Sequence, residues 1–312
     1  MCAQPSIAIV ITTYNHAHFL DAALTSARDQ SVAATEVIVV DDGSIDHPEH
    51  IVQRFPGVRC IRQMNAGLTA ARNTGWRAAS SEFVTFLDAD DRLRPDALRV
   101  NLARLLAHPE APFAYGGYVD VHASTGATVP VTFRPAMDGY ASFLRENVIG
   151  MHATVLYRRR WLEQIGGFRN GLPACEDYDV YLRLSRLQPP VFGPEVLAEY
   201  WHHDGNMSGD KALMLSAALG VLRAEARLAA ATGQRVSYRA GLRGWKRHYV
   251  EGWWRQLAGA IHERAVTVRL LTRGAAIARL APLTWLAAPP RRAAELVVRR
   301  IRRLAPARRR RP

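Results

Sequence analysis

The sequence predicts an α/β fold with a Rossmann-like, mostly parallel sheet flanked by helices, followed by an α-helical C-terminal extension. Short apolar runs at residues 7–11 and 36–40 are typical of parallel strands that are buried on both faces. A helical pattern at residues 19–27 separates the two runs, and a strand, a helix and a strand at this spacing imply a right-handed crossover. From Lys211 the composition changes to alanine, leucine and arginine with helical periodicity, which predicts the extension.

The first part of the chain alternates between strands and helices. Apolar runs predict strands at residues 7–11, 36–40, 58–61, 83–87 and 113–121. Helices are predicted between them, at residues 19–27, 65–78 and 95–107. Because parallel strands end at one edge of a sheet and polar residues follow them here, we expect a polar cleft at that edge.

The pattern is looser after residue 131. Helices are predicted at residues 140–147 and 180–187, strands at 152–157 and 196–201, and a glycine turn at 166–168. Two further helices are predicted in the C-terminal third, at residues 213–231 and 238–261. Residues 265–288 are apolar but are interrupted by three arginines and Pro282, which favours an interfacial or docked helix over a membrane span.

The net charge of +13 comes almost entirely from arginine, and residues 291–312 hold ten Arg against one Glu. The three cysteines, Cys2, Cys60 and Cys175, have no metal-ligand spacing, which fits a reducing compartment. No apolar stretch reaches the ~20 residues that a membrane span needs, and the N-terminus lacks the features of a signal peptide. We therefore expect a cytoplasmic protein.

Three carboxylates, Asp88, Asp90 and Asp91, directly follow the apolar run at residues 83–87. They would repel one another at the end of a buried strand unless a cation lay among them. Such hard oxygen ligands suit Mg²⁺ or Mn²⁺ rather than Zn²⁺. The alternative is an acidic turn that caps the helix near Pro95.

Two helix starts could also carry chemistry. Residues 65–68 and Arg72 could present amide groups and a guanidinium to an anion, or form an ordinary helix start with a solvated arginine. Glu176 and Asp177 open another predicted helix, where the helix dipole alone stabilises acidic residues by ~0.3–1 kcal/mol.

Taken together, these motifs resemble those of glycosyltransferase family 2, the inverting GT-A enzymes that use nucleotide sugars. The resemblance extends over about residues 5–210. The matching segments are residues 9–15, 39–44, 65–68 with 71–75, the DxD-like stretch 87–91, the acidic stretch 176–179, and His203 with 205–208. It implies a catalytic domain at residues 1–210, with a nucleotide-binding half at 1–120 and an acceptor-side half at 121–210. Residues 211–312 would be a separate helical, arginine-rich region that contacts a membrane surface or docks on a protein.

The resemblance also implies roles for individual residues on the donor side. Thr12, Tyr14 and Asn15 would line the nucleoside pocket. Asp42 would accept a hydrogen bond from the imide N–H of uracil or thymine, which disfavours GDP. Of the two pyrimidine nucleotides, UDP is expected rather than dTDP. Arg72 would lie near the diphosphate.

The remaining implied roles concern the metal and the reaction. Asp88 would bind the ribose and the metal, with Asp90, Asp91 and His203 as metal ligands for Mn²⁺ or Mg²⁺. Asp177 would be the general base, with Glu176 beside it. An acceptor hydroxyl would attack opposite the leaving nucleotide, so the expected result is inversion.

One position departs from the family pattern. The family often has an arginine two residues before the late histidine, and this chain has Trp201 there. The phosphate contact that such an arginine could make is therefore not assigned, although His202 could substitute for it.

The C-terminal region leaves its partner open. Trp245, Tyr249 and Trp253 lie on one predicted helix face and could contact a membrane interface or pack on the catalytic domain. The arginine-rich tail should be drawn to anionic lipid at ~1 kcal/mol per basic residue. A peripheral position at the inner membrane face and a glycan or lipid-linked acceptor, in cell-surface polysaccharide or lipopolysaccharide synthesis, follow as expectations.

Two other classes of function remain as alternatives. One is a non-catalytic nucleotide-sugar-binding or membrane-scaffold protein, against which both intact acidic motifs argue. The other is a nucleic-acid-binding protein that uses the tail, which would leave the predicted cleft without a purpose.

Overall fold

The computed structural model describes residues 5–122, 126–131, 136–203, 206–262 and 265–287. The chain forms two compact units, Met1–Asn206 and Met207–Pro312. The arginine-rich tail at 291–312 lies outside the described residues, so its predicted lipid binding stays a prediction.

The first unit contains a mixed sheet with helices on both faces. Its strands are β1 (Ile7–Thr13), β2 (Glu36–Asp41), β3 (Val58–Arg62), β4 (Phe83–Asp88), β5 (Arg92–Leu93), β6 (Phe113–His122), β7 (Ala127–Val131), β8 (Leu156–Arg158) and β9 (Val191–His202). Its helices are α1 (Ala17–Arg28), α2 (Glu49–Val52), α3 (Leu68–Ala78), α4 (Ala97–Ala107), α5 (Tyr140–Arg145), α6 (Arg159–Ile165) and α7 (Glu176–Ser185). The strand order is β3-β2-β1-β4-β8-β6-β9-β5, with β7 beside β6. The predicted α/β class is confirmed.

The strands β3, β2, β1 and β4 form the parallel half of the sheet. Every residue of β1 is buried, as expected for a strand that is covered by helices on both faces. Thr12 is the register partner of Asp88, and Thr13 is the partner of Asp41. The carboxyl ends of three neighbouring strands therefore meet at one edge.

The other half of the sheet differs from the sequence-based prediction. The predicted strand at 152–157 is wrong in its first half, where His152–Thr154 forms a 3₁₀ turn. The Thr154 hydroxyl donates a hydrogen bond to the Met151 carbonyl at 2.8 Å, and this local bond competes with strand pairing. β8 runs antiparallel to both neighbours, and β9 begins at Val191 rather than at residue 196.

The second unit is helical in its described part. Its helices are α8 (Lys211–Ala224), α9 (Ala226–Ala231), α10 (Arg235–His262), α11 (Val268–Leu280) and α12 (Pro282–Ala287). The predicted helix at 213–231 is interrupted at Glu225, and the one at 265–288 ends before Pro282, which lacks the N–H that a continuous helix needs. None of the helices in the described ranges is long and apolar enough to cross a bilayer.

The aromatic face of α10 belongs to the core of this second unit. Tyr249 and Trp253 are buried with Leu215 and Ile277, and the Trp253 indole N–H donates to the Leu270 carbonyl at 3.0 Å. Trp245 stacks on Tyr249 with ring centroids 5.6 Å apart. The alternative in which Tyr249 and Trp253 face a membrane is therefore wrong.

Candidate active site

The site is built at the shared edge of β1, β2 and β4. The Thr12 hydroxyl, at the end of β1, donates to Asp88 Oδ1 at the end of β4, at 3.0 Å. Thr12 is buried, while the Asp88 side chain is one-third exposed. The carboxylate of Asp88 therefore faces two environments, the sheet edge and the solvent-accessible cleft.

Arg72 on α3 joins this edge to a second acidic motif. Its Nη2 donates to both oxygens of Asp88, at 2.9 and 3.1 Å, and its Nη1 donates to Glu176 at the start of α7. Burial opposes the charge, but the carboxylates of Asp88 and Glu176 outweigh it and raise the pKa of Arg72. The alternative of a solvated arginine is therefore wrong. The expected contact with a diphosphate stays a prediction. Among the residues that the structure describes, none accepts a hydrogen bond from the buried Nε of Arg72.

Asp177 follows Glu176 and lies only partly exposed on the first turn of α7. Burial, followed by the negative charge of Glu176, raises the pKa of Asp177 to about 7, while Arg72 opposes the shift. Its Oδ1 accepts a hydrogen bond from the Tyr178 N–H at 2.7 Å. A carboxyl with a pKa near neutrality is suited to accept a proton at physiological pH.

The next acid on α7, Asp179, has a different environment. It is buried and pairs with Arg183 at 2.7 Å and with Arg169 at 3.0 Å. Arg183 in turn donates to the carbonyls of Ile165 and Gly167. Asp179 therefore stabilises the turn beside α7, and sequence reasoning had not separated its role from that of Asp177.

Asp90 and His203 come together although they lie far apart in the sequence. His203 Nε2 lies 2.9 Å from Asp90 Oδ2, and both side chains are partly exposed. The Asn206 amide also donates to Asp90 Oδ2, at 3.4 Å, and the ring of Phe19 packs on His203. A carboxylate oxygen beside an imidazole nitrogen is a donor pair that fits a divalent cation such as Mn²⁺.

Asp91, the other predicted ligand, lies in a different environment. It is buried, and its Oδ1 accepts the backbone N–H of Trp201 at 3.2 Å. Burial, and then the carboxylates of Asp90 and Asp88, raise the pKa of Asp91 well above its usual range. Asp91 thus attaches the loop after β4 to β9, and its role as a metal ligand stays a prediction. Among the described residues, one group of three potential metal ligands has its ligand atoms within 4.8 Å of one another. It consists of His47, Glu49 and His50 and does not include Asp90, Asp91 or His203.

The loops after β1 and β2 hold each other in place. Asn15, in a left-handed conformation with φ of 55°, donates its N–H to the Ser44 hydroxyl at 2.9 Å. Its side-chain oxygen accepts the Ile45 N–H at 2.9 Å. Tyr14 beside it is 48% exposed, so its ring is accessible to a ligand. Asn15 therefore shapes the predicted nucleoside pocket, and its contact with a nucleotide stays a prediction.

Asp42 has structural contacts that the sequence did not predict. It is buried, and its Oδ1 accepts from the Gln63 amide at 2.7 Å and from the Ala66 N–H at 2.9 Å. Its Oδ2 accepts from the Gly67 N–H at 2.8 Å. Asp42 thus orders the loop that leads into α3. A carboxylate has about four acceptor positions, and these donors occupy three of them.

Trp201, which occupies the position where the family often has an arginine, lies beneath the side chain of Arg92. The Arg92 guanidinium carbon is 3.7 Å from the centroid of the Trp201 ring, a close cation–π contact. The proposed substitute His202 instead bonds Asp120 at 2.7 Å and stacks on His122. Sequence reasoning did not predict this contact between Arg92 and Trp201.

The chain was compared with known proteins. Residues 8–166 match the sequence profile described as Glycosyl transferase family 2. A chondroitin synthase of Escherichia coli is 29% identical over 194 residues, which are 59% of this chain and 27% of that protein. The chain thus spans about a quarter of that curated relative.

Two solved structures share the fold. Staphylococcus aureus TarS 1–349 in complex with UDP-GlcNAc has a TM-score of 0.57 at 18% identity, and the match covers 93% of this chain and 83% of that chain. The mannosyltransferase PcManGT from Pyrobaculum calidifontis, in complex with GDP-Man and Mn²⁺, has a TM-score of 0.57 at 19% identity over 97% of this chain and 88% of that one. At such identities the likeness shows the fold.

Proposed function

The chain belongs to glycosyl transferase family 2, and on that premise we propose that it moves a sugar from a UDP-sugar to an acceptor hydroxyl with inversion at the anomeric carbon. The observation that carries the proposal is the Asp88–Arg72–Glu176 bridge with Asp177 beside it. This bridge joins the carboxylate at the strand edge to Glu176, and the neighbouring Asp177 has a pKa of about 7, which suits a general base.

Asp177 is the proposed base. The acceptor hydroxyl must lose a proton as it attacks, and a carboxylate within hydrogen-bond reach accelerates this step by roughly 10²–10⁴-fold. Glu176 contributes through its charge, because it raises the pKa of Asp177, and Arg72 limits that rise. A single displacement, with the base on the face opposite the leaving group, gives inversion.

Asp42 supports UDP as the donor nucleotide. One acceptor position remains on its carboxylate beside three protein donors, and uracil offers a single imide N–H. Guanine presents two neighbouring donor groups and would need two free acceptors. The structural neighbours include both kinds of complex, with UDP-GlcNAc in TarS and GDP-Man in PcManGT, so the choice depends on Asp42.

Asp90 and His203 are the residues that would hold a divalent cation, Mn²⁺ or Mg²⁺. The Mn²⁺ in the PcManGT complex supports metal use within this fold. Such a cation, when bound, offsets the negative charge of the leaving diphosphate. Asn206 connects the two residues, since its amide N–H donates to the Asp90 carboxylate and its side-chain oxygen accepts the backbone N–H of His203.

The proposed acceptor is a glycan or a lipid-linked glycan in cell-surface polysaccharide or lipopolysaccharide synthesis. The similarity to a chondroitin synthase supports a polysaccharide acceptor. The non-catalytic alternative predicts donor binding without any release of UDP from UDP-sugars.

The test is calorimetric titration of the full chain with UDP, with GDP as the control nucleotide, in the presence and absence of Mn²⁺. We expect UDP binding that Mn²⁺ strengthens and that Asp90→Ala weakens. Asp21→Ala, which removes an exposed surface carboxylate on α1, is the matched control and should bind as the parent does. Binding of GDP in preference to UDP would refute the donor assignment. A folded chain that binds neither nucleotide would refute the proposal as a whole.

A further inference from the structure

Helices α11 and α12 have an exposed apolar face. Val268 is 77% exposed and Leu271 is 50% exposed on α11, and on α12 Leu283 is 82% and Leu286 is 76% exposed. The opposite face of α11 is buried in the core of the second unit through Leu270, Gly274 and Ile277. The buried face thus anchors α11, while the exposed apolar side chains of α11 and α12 stay in contact with water, which marks an interaction surface.

The charge around this face is positive. Residues 265–287 contain Arg269, Arg273 and Arg279 and no acidic residue. Arg273 pairs with Asp210 at 2.6 Å, whereas Arg269 and Arg279 form no ion pair with any residue that the structure describes. Both are exposed on α11 beside the apolar side chains.

We propose that the outer face of α11 and α12 inserts into the surface of an anionic lipid bilayer. An amphipathic helix that carries arginines beside an apolar stripe lies in the membrane interface, with the stripe sunk among the headgroups and first acyl carbons. The two helices are too short to span the bilayer, so they would lie on it. This inference is independent of the donor sugar and of the catalytic residues.

Charge favours an anionic bilayer over two other partners for this face, which are the arginine-rich tail and a second copy of the chain. Residues 291–312 carry +9, from ten Arg and one Glu, and would be repelled by Arg269 and Arg279. A second copy of the same face would bring the same positive charges together. An anionic bilayer instead complements the arginines of the face and, at the same time, the tail that follows it.

The experiment measures co-sedimentation of the full chain with phosphatidylcholine vesicles and with vesicles that contain 30% phosphatidylglycerol. The apolar variant is Leu283→Ser with Leu286→Ser, which removes exposed side chains and adds no charge. Its matched control is Met207→Ser with Val236→Ser, which removes two exposed apolar side chains of the same unit. The charge variant, Arg269→Gln with Arg279→Gln, is matched by Arg235→Gln with Arg239→Gln, two exposed arginines of α10.

The parent chain should bind the anionic vesicles and bind the neutral ones weakly. We expect the apolar variant to lose at least about tenfold in affinity, because burial of the leucine side chains is what holds the helices in the interface. The charge variant should lose affinity for anionic vesicles alone, and both controls should stay within about twofold of the parent.

Three results would overturn the proposal. The first is equal binding by the parent and the apolar variant, which would assign binding to the arginine-rich tail. The second is an equal loss in the matched controls. The third is no vesicle binding by the parent together with a change of oligomeric state in the apolar variant by light scattering, which would assign the face to contacts between chains.

Discussion

Arg72 shows how much of this site depends on single side chains that meet across the fold. It is buried and lies between Asp88 and Glu176, the latter 104 residues away in sequence. Removing one partner of a buried ionic network leaves an unpaired charge and typically costs about 3–5 kcal/mol. Arg72 therefore maintains the distance between the strand-end acids and the proposed base, whatever it contributes to donor binding.

Asp177→Asn should separate activity from stability. Loss of the base should lower UDP release from the preferred UDP-sugar by roughly 10²–10⁴-fold. Because burial raises the pKa of Asp177 to about 7, the folded state disfavours its charge, and the parent loses stability as pH rises from about 4 through 7. The variant lacks this loss. It should therefore unfold at higher temperature than the parent at pH 8, and by a smaller margin at pH 5.

The size of that difference has an upper bound. The change in pKa from 3.8 to about 7 corresponds to about 4 kcal/mol of unfolding free energy, and the partial exposure of Asp177 will reduce it.

In the parent, UDP release should fall as the pH drops below about 7, since the protonated carboxyl cannot accept a proton. Asp21→Asn is the control and should leave both measurements unchanged. Equal UDP release by Asp177→Asn and the parent would exclude Asp177 as the base.

The sequence identified the reactive residue types but not their partners. Asp88 and Asp90 stood out because acids directly follow an apolar run, whereas Asp177 and His203 were assigned through the family resemblance. The contacts of Asp42 with the loop before α3 could not be predicted, because no local pattern encodes a bond to a residue 24 positions away. The same holds for Asp91, whose carboxyl meets the backbone of Trp201 across 110 residues.

Among the secondary-structure elements, those with a regular apolar pattern in the sequence were predicted correctly. β1, β2, β4 and α3 were predicted because strands covered on both faces are continuously apolar and α3 has small residues at helical spacing. The short strand β5 and the hairpin strand β7 were missed. β5 has only two residues and β7 is mostly exposed, so neither has a periodic apolar pattern.

The contact between α3 and the sheet yields a test at this scale. A Cβ on Gly75 would lie 2.2 Å from Val10 Cγ1 and 3.2 Å from Val40 Cγ2. Gly75→Ala should therefore push α3 away from β1 and destabilise the chain by about 1–3 kcal/mol. Because Arg72 lies on the same helix, UDP affinity should fall as well. Denaturant unfolding and calorimetric titration measure the two effects.

Gly220→Ala on α8 is the matched control. It is also a glycine inside a helix, but beyond its own turns of the helix no atom of the described residues lies within 4 Å of its added Cβ. It should stabilise the chain by about 0.5–1 kcal/mol, because alanine is the better helix former. Equal effects of the two substitutions would show that α3 is not tightly packed on the sheet.

At the scale of the whole molecule, each of the two units has a hydrophobic core among its described residues. The first unit buries the sheet against α1 and α4 around side chains such as Ile9, Leu20 and Phe83. The second buries α8, α10 and α11 around Leu219, Trp253 and Ile277. All residues proposed for donor binding, metal binding and catalysis belong to the first unit. A nucleotide should therefore stabilise the first unit directly and the second only as far as the two unfold together.

Scanning calorimetry with one probe substitution in each unit tests whether the nucleotide stabilises the first unit alone. Gly75→Ala marks the first unit, and Gly274→Ala marks the second, because its Cβ would lie 2.2 Å from Trp253 Cζ2. We expect two unfolding transitions, each lowered by one of the substitutions. UDP with Mn²⁺ at about 100 times its dissociation constant adds about 2.7 kcal/mol to the stability of the unit that binds it, which raises its Tm by about 5–10 °C. Only the transition that Gly75→Ala lowers should rise with the nucleotide. A single transition that responds to both substitutions and to UDP would show that the two units unfold together. If UDP raised only the Tm of the transition that Gly274→Ala lowers, the nucleotide site would lie in the second unit, and the proposed site would be refuted.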